Sequence, residues 1–184
     1  ILLTFVGSPF IYYGDEIGMG DDIWLEDRNG VRTPMQWNDR VNAGFSSEEV
    51  PPERLYLPVI DDEDYGFAVV NVARQEGDPA SLLNWMKAAL YIRRQHPAFG
   101  RGALVLLEPA DSSILAYIRS HGTETLLVVN NLAAEERDVT LDLGRYEGYE
   151  LRDLFTGAML DRPASDSWAM SLPGYGYRWL ALTR

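Results

Sequence analysis

Between Trp24 and Phe45 the chain interleaves Trp24, Trp37 and Phe45 with Arg28, Arg32, Gln36, Arg40 and Asn42. Flat aromatic rings match the apolar faces of a sugar, and guanidinium and amide groups donate paired hydrogen bonds to a rim of hydroxyls. The same composition also suits a loop pinned to a core by its tryptophans, with its arginines in surface ion pairs. Composition alone does not choose between them. Asp15 and Glu16 are a second candidate, adjacent carboxylates at the end of the apolar run Phe10-Ile11-Tyr12-Tyr13. Barrel enzymes place functional groups at strand ends, but successive strand residues point to opposite faces. Retaining glycosyl transfer needs two carboxyls ~5 Å apart flanking one bond. The pair therefore reads as strand-end architecture, with one group at most lining a site.

Other chemistries are poorly supplied. His96 and His121 are the only imidazoles and there is no cysteine, which removes disulfides, thiolate nucleophiles and cysteine-bound metal. His96 ends a helix and His121 precedes a glycine, and both read as structural. Two distant histidines do not give zinc-ligand spacing. The run Asp61-Asp62-Glu63-Asp64 supplies oxygen ligands, but Tyr65 and Val72 stand where a calcium loop needs ligands. The run reads as a solvated acidic loop. Neither a metal nor a cofactor is expected.

The elements that must position these residues change character along the chain. Gly7-Ser8-Pro9 signals a turn, and residues 10–13 suit a strand buried on both faces. From Asp21 to Gly77 the sequence is irregular, with Pro34, Pro51, Pro52, Pro58 and the turn signal Asn29-Gly30. Loops this long inside a compact domain are uncommon unless functional. Residues 78–96 read as a helix with Asp78 as N-cap, Pro79 in the first turn and Pro97 as stop. Short strands follow over 103–108, 114–120, 125–131, 138–143, 149–154, 168–172 and 177–182. Such regular spacing indicates an antiparallel β-sandwich. The fold class expected is α+β, the last strand–helix unit and long loops of a (β/α)8 barrel (residues 1–102) followed by a C-terminal β-sandwich domain (residues 103–184).

Composition bounds the partners. The 184 residues are 46% apolar, enough to bury a core. A formal charge of −12 repels nucleic acid, and no apolar run reaches the ~20 residues that span a bilayer. The absence of cysteine fits a cytoplasmic location. The sequence opens at Ile1 inside an apolar segment, as a chain beginning mid-fold would.

The motifs then carry a resemblance. Gly7-Ser8-Pro9-Phe10-Ile11-Tyr12-Tyr13-Gly14-Asp15-Glu16-Ile17-Gly18-Met19 resembles the eighth-strand motif of the α-amylase superfamily of glycoside hydrolases. Arg32-Thr33-Pro34-Met35-Gln36-Trp37 resembles the motif of its oligo-1,6-glucosidase-like branch. Asp22-Ile23-Trp24-Leu25, Asp27-Arg28-Asn29-Gly30-Val31, Asn42-Ala43-Gly44-Phe45-Ser46 and Leu55-Tyr56-Leu57-Pro58 are most similar to trehalose synthases, the maltose–trehalose isomerases.

The resemblance implies retaining double displacement by an Asp nucleophile, a Glu acid/base and a second Asp, all on strands before the eighth. No catalytic residue is therefore assigned here. It implies that Arg32 holds the 4-hydroxyl of the non-reducing glucose, with Arg28, Trp24 and Gln36 lesser candidates for the pocket wall. The partners implied are maltose, trehalose and glucose. A hydrolysing α-glucosidase is the nearest alternative, and a non-catalytic carbohydrate-binding β-sandwich is the alternative of another class. The 184 residues alone are expected to be inactive. Their unpaired apolar surface is expected to pack on the sandwich, to self-associate, or to leave residues 1–70 irregular.

Overall fold

A computed structural model describes residues 1–161 and 167–184. The element order is α1 (Val72–Glu76), α2 (Leu82–Gln95), α3 (Pro97–Arg101), β1 (Ala103–Leu106), β2 (Ile114–His121), β3 (Glu124–Asn131), β4 (Arg137–Asp142), β5 (Glu150–Asp153), β6 (Met159–Leu160), β7 (Ser167–Leu172) and β8 (Tyr177–Thr183). Two compact units result, one of residues 1–9 and 89–184, the other of residues 10–88.

The first unit is built on antiparallel strands. One sheet has six strands in the order β1-β2-β3-β8-β5-β6, and β4 and β7 form a second sheet. Alternation explains the pairing of faces. Ile114, Ala116 and Ile118 of β2 point the same way as Leu127 and Val129 of β3, and Leu151, Leu180 and Leu182 join them. Val139 and Leu141 of β4, with Trp168 and Leu172 of β7, complete one buried core between the sheets. β3 is an uninterrupted apolar run, Leu126-Leu127-Val128-Val129, because its other face is covered too. On that side Phe99 of α3 packs on Trp179, with ring centroids 5.2 Å apart. The Phe5 ring meets Tyr117 edge-on at 5.5 Å. β2 turns into β3 through Gly122, whose φ of +59° suits a tight hairpin.

The second unit is largely irregular. Short 3₁₀ turns at Asp15–Ile17, Gly30–Arg32, Val41–Gly44 and Pro52–Arg54 precede α1. Ile17, Met35 and Leu83 form its small core, with Met19, Val70 and Val72 against them. Backbone groups with no ladder partner are satisfied by side-chain amides. Gln36 Nε2 donates to the carbonyls of Tyr65 and Val70, and Gln75 Nε2 donates to that of Ile17 at 2.7 Å.

Two local expectations are corrected. Residues 10–13, read as a buried strand, pair with no strand, and Phe10 is 89% exposed. A strand is held by the N–H and C=O groups of neighbours, and none of the described strands pairs with this segment. The helix read from residue 78 begins at Leu82. Asp78 Oδ1 accepts from the Ala80 N–H at 2.9 Å and closes a local turn. The cap is Ser81, whose Oγ accepts from the Asn84 N–H at 3.2 Å, while Gln75 Oε1 accepts from Leu83 N–H at 3.0 Å. Ser81→Ala is therefore expected to lower stability by about 1 kcal/mol, and Asp78→Ala by clearly less, in urea titrations. An equal loss from both would return the cap to Asp78.

Candidate functional site

Arg32 ends the 3₁₀ turn Gly30–Arg32, and its backbone N–H donates to Asn29 O at 3.0 Å. The next residues, Thr33 to Gln36, are buried, so the hexapeptide anchors the turn and leaves the guanidinium exposed. Arg32 lines a cavity of about 150 Å³ with Tyr13, Phe45 and Tyr56. A volume of about that size accommodates one six-membered ring.

Each neighbour reaches the cavity by a different device. Tyr13 Oη donates to Thr33 O at 3.0 Å, fixing the backbone just after Arg32. Burial and the neighbouring Tyr12 push the Tyr13 phenol above its ordinary range, and the Arg32 charge opposes them. Phe45 follows three consecutive left-handed residues, Asn42, Ala43 and Gly44, with φ of 58°, 56° and 68°. That conformation is costly for the non-glycine pair. It is held because Trp37 N–H and Asn38 N–H both donate to Ala43 O, while Asn42 Nδ2 donates to Ser47 O and Val50 O. Such strain persists only where surrounding contacts over-determine it.

The other sequence candidates lie elsewhere. Gln36 is wholly buried and holds two carbonyls of its own unit. Arg28 pairs with Asp27 at 3.4 Å on the surface, and Trp24 is 88% exposed. None of the three lines the Arg32 cavity. Conversely, Tyr13 and Tyr56 do line it, and they were legible only as members of matching motifs, not as site residues.

The carboxylates near the turn serve the backbone. Asp15 Oδ2 accepts from Tyr12 N–H and Glu16 Oε2 from Gly14 N–H, both at 2.8 Å. Asp62 Oδ1 accepts from the Asp64 and Tyr65 N–H groups, folding the acidic run into a turn. Among the described residues no group of three or more His, Asp or Glu side chains could hold a metal ion. No described helix is long and apolar enough to cross a membrane.

Comparison with known proteins agrees with these motifs. Residues 1–102 match the model of the α-amylase catalytic domain, and residues 104–179 that of the maltogenic amylase C-terminal domain. The chain is 45% identical to the trehalose synthase/amylase TreS of Mycobacterium tuberculosis, over 100% of this chain and 31% of that protein. It is 43% identical to the trehalose synthase of a Pimelobacter species, over 100% of this chain and 32% of that protein. The chain thus spans about a third of the length of the curated relatives it matches. Among solved structures it is similar to the trehalulose synthase MutB of Pseudomonas mesoacidophila, with a TM-score of 0.77, 27% identity, and 99% of this chain covering 37% of MutB. A MutB mutant in complex with glucose gives the same TM-score of 0.77 and 27% identity, covering 99% of this chain and 37% of that one.

Proposed function

The chain belongs to the α-amylase family of glycoside hydrolases, and we propose that it is the C-terminal part of a retaining α-glucosyl enzyme that interconverts maltose and trehalose by intramolecular transglucosylation. The observation that carries this reading is the match along the whole chain to trehalose synthases. That match covers residues 21–45 together with the hexapeptide.

In the reaction proposed for the complete enzyme, a carboxylate attacks C1 of the non-reducing glucose of maltose. A carboxylic acid gives its proton to the departing 4-oxygen. The freed glucose turns within the closed site, and its 1-hydroxyl attacks C1 of the glucosyl ester. The acid/base, now ionised, takes that proton. One ester bond forms and breaks, and one glycosidic bond moves from the 4-oxygen to the 1-oxygen. Water reaching the ester gives two glucose molecules instead. These carboxylates are not assigned among the 184 residues, which alone are expected to turn over neither sugar.

This chain contributes the Arg32 wall. A fork-shaped cation grips the 4-hydroxyl of the terminal glucose, and chains extended at that oxygen leave the guanidinium unsatisfied. The substrates are then disaccharides. Tyr13 and the left-handed turn at residues 42–44 keep the cavity in shape around the guanidinium.

Incubating the complete enzyme with maltose and separating the products tests the reading. Trehalose as the main product supports it. Glucose alone replaces it with hydrolysis.

A further inference from the structure

Where α2 ends and α3 begins, the charge balance of the chain reverses. Overall, 28 acidic residues outnumber 16 basic ones. At this corner a cavity of about 610 Å³ is lined by Arg93, Arg94, Arg101 and His96, with Leu90 and Pro97 as apolar wall, and no carboxylate lines it.

The cations differ in how they are held. Arg93 Nη1 donates to the carbonyls of Leu3 and Phe99, so it is fixed in place. The side chains of Arg94 and Arg101 make neither an ion pair nor a hydrogen bond among the described residues. Behind Arg93 lies Arg119, 1% exposed and also without a carboxylate. Burial, then the Arg93 charge, lowers the pKa of Arg119. The nearby acid, Glu124, is engaged. Its Oε1 pairs with His96 Nδ1 and its Oε2 accepts from Ala98 N–H, each at 2.7 Å.

Three guanidinium groups, those of Arg93, Arg94 and Arg101, therefore face one cavity with no carboxylate in its lining, in a chain that has 28 carboxylates. The planar fork of arginine matches phosphate oxygens two at a time. The cavity is of small-molecule size and exceeds what a bare phosphate fills. Leu90 and Pro97 offer apolar surface to an organic body. We infer that this corner binds a phosphorylated small molecule of sugar size, with Arg94 and Arg101 as the exposed arms and Arg93 as the one held by backbone carbonyls. The inference does not rest on the reading of the Arg32 cavity.

Titration calorimetry on the chain at low salt, with glucose 6-phosphate, inorganic phosphate and glucose as probes, tests it. Glucose 6-phosphate is expected to bind about tenfold more tightly than inorganic phosphate, with affinity falling as salt rises. Glucose is expected to give no heat. The double variant Arg94→Gln, Arg101→Gln should weaken glucose 6-phosphate at least about tenfold. Both side chains are exposed, so the far-UV spectrum should not change. Absent binding of glucose 6-phosphate, or equal binding by the double variant, overturns the site. Equal affinity for inorganic phosphate or for glucose overturns the ligand class.

Discussion

Arg32→Ala in the complete enzyme is expected to lower kcat/KM for maltose about 100-fold. The estimate follows from hydrogen bonds to a charged donor, each contributing about 1.5–3 kcal/mol. A net loss of about 2.7 kcal/mol is a factor of about 100. Both KM and kcat should suffer. The grip on a hydroxyl away from the bond being broken helps binding and also aligns C1 for attack. Arg32→Lys should recover part of the loss, because one ammonium keeps the charge without the fork. The guanidinium is exposed, so folding should not change, and a normal far-UV spectrum separates a binding defect from a folding one. Arg28→Ala is the contrast, since its 3.4 Å pair with Asp27 lies at the surface and such pairs contribute little. Unchanged steady-state constants for Arg32→Ala with both maltose and trehalose would remove the residue from the substrate pocket.

The physical reasons for what sequence reveals are visible in particular elements. β2, expected over residues 114–120, runs Ile114–His121, and β7, expected over 168–172, runs Ser167–Leu172. In β7 Trp168, Met170 and Leu172 alternate with exposed Ser167, Ala169 and Ser171, so a shift of one residue would turn the apolar side chains out of the core, whereas β2 is a mostly apolar run buried on both faces. β6 has only two residues, Met159–Leu160, and two residues carry no period to read. Residues 10–13 have the composition of a strand, but composition does not supply the neighbour that a ladder needs. At the head of α2, Asp78 and Ser81 are both good caps by type. The choice of Ser81 depends on Gln75, which takes the Leu83 N–H and is seven residues before the helix begins.

Of the residues proposed from sequence for the site, Arg32 alone lines the cavity, and the residues around it there carry no local signal. Arg32 stands in a motif with fixed spacing. Tyr13 and Tyr56 reach the same cavity from 19 residues before it and 24 residues after it, and no local period links them. Gln36 shows how little residue type alone decides. An amide that suits a sugar hydroxyl suits a backbone carbonyl equally well, and burial decides in favour of the carbonyl.

Arg119→Met is expected to lower the stability of the sheet-containing unit by about 3 kcal/mol, and Arg119→Ala by somewhat more. A buried arginine without a carboxylate looks like a liability, and buried ion pairs can often be replaced by apolar residues of similar volume at no loss. The partners here are different. Arg119 Nη1 donates to Thr4 O at 2.6 Å and Nη2 donates to Gly102 O at 2.9 Å. Both carbonyls belong to irregular chain packed on β2, where no strand can satisfy them, and an apolar replacement leaves each acceptor unpaired. An orphaned buried polar group costs about 1–3 kcal/mol. Methionine keeps most of the volume and so isolates that cost, and alanine adds a cavity to it. Lysine should fail nearly as badly, because one ammonium cannot reach two carbonyls on different segments. Urea unfolding followed by far-UV ellipticity measures the series. In a chain of this length the expected loss is a fall in melting temperature of about 10 °C. A methionine variant as stable as the parent would mean that water or a small rearrangement satisfies the two carbonyls, and that the guanidinium is not what ties residues 1–9 to the sheet.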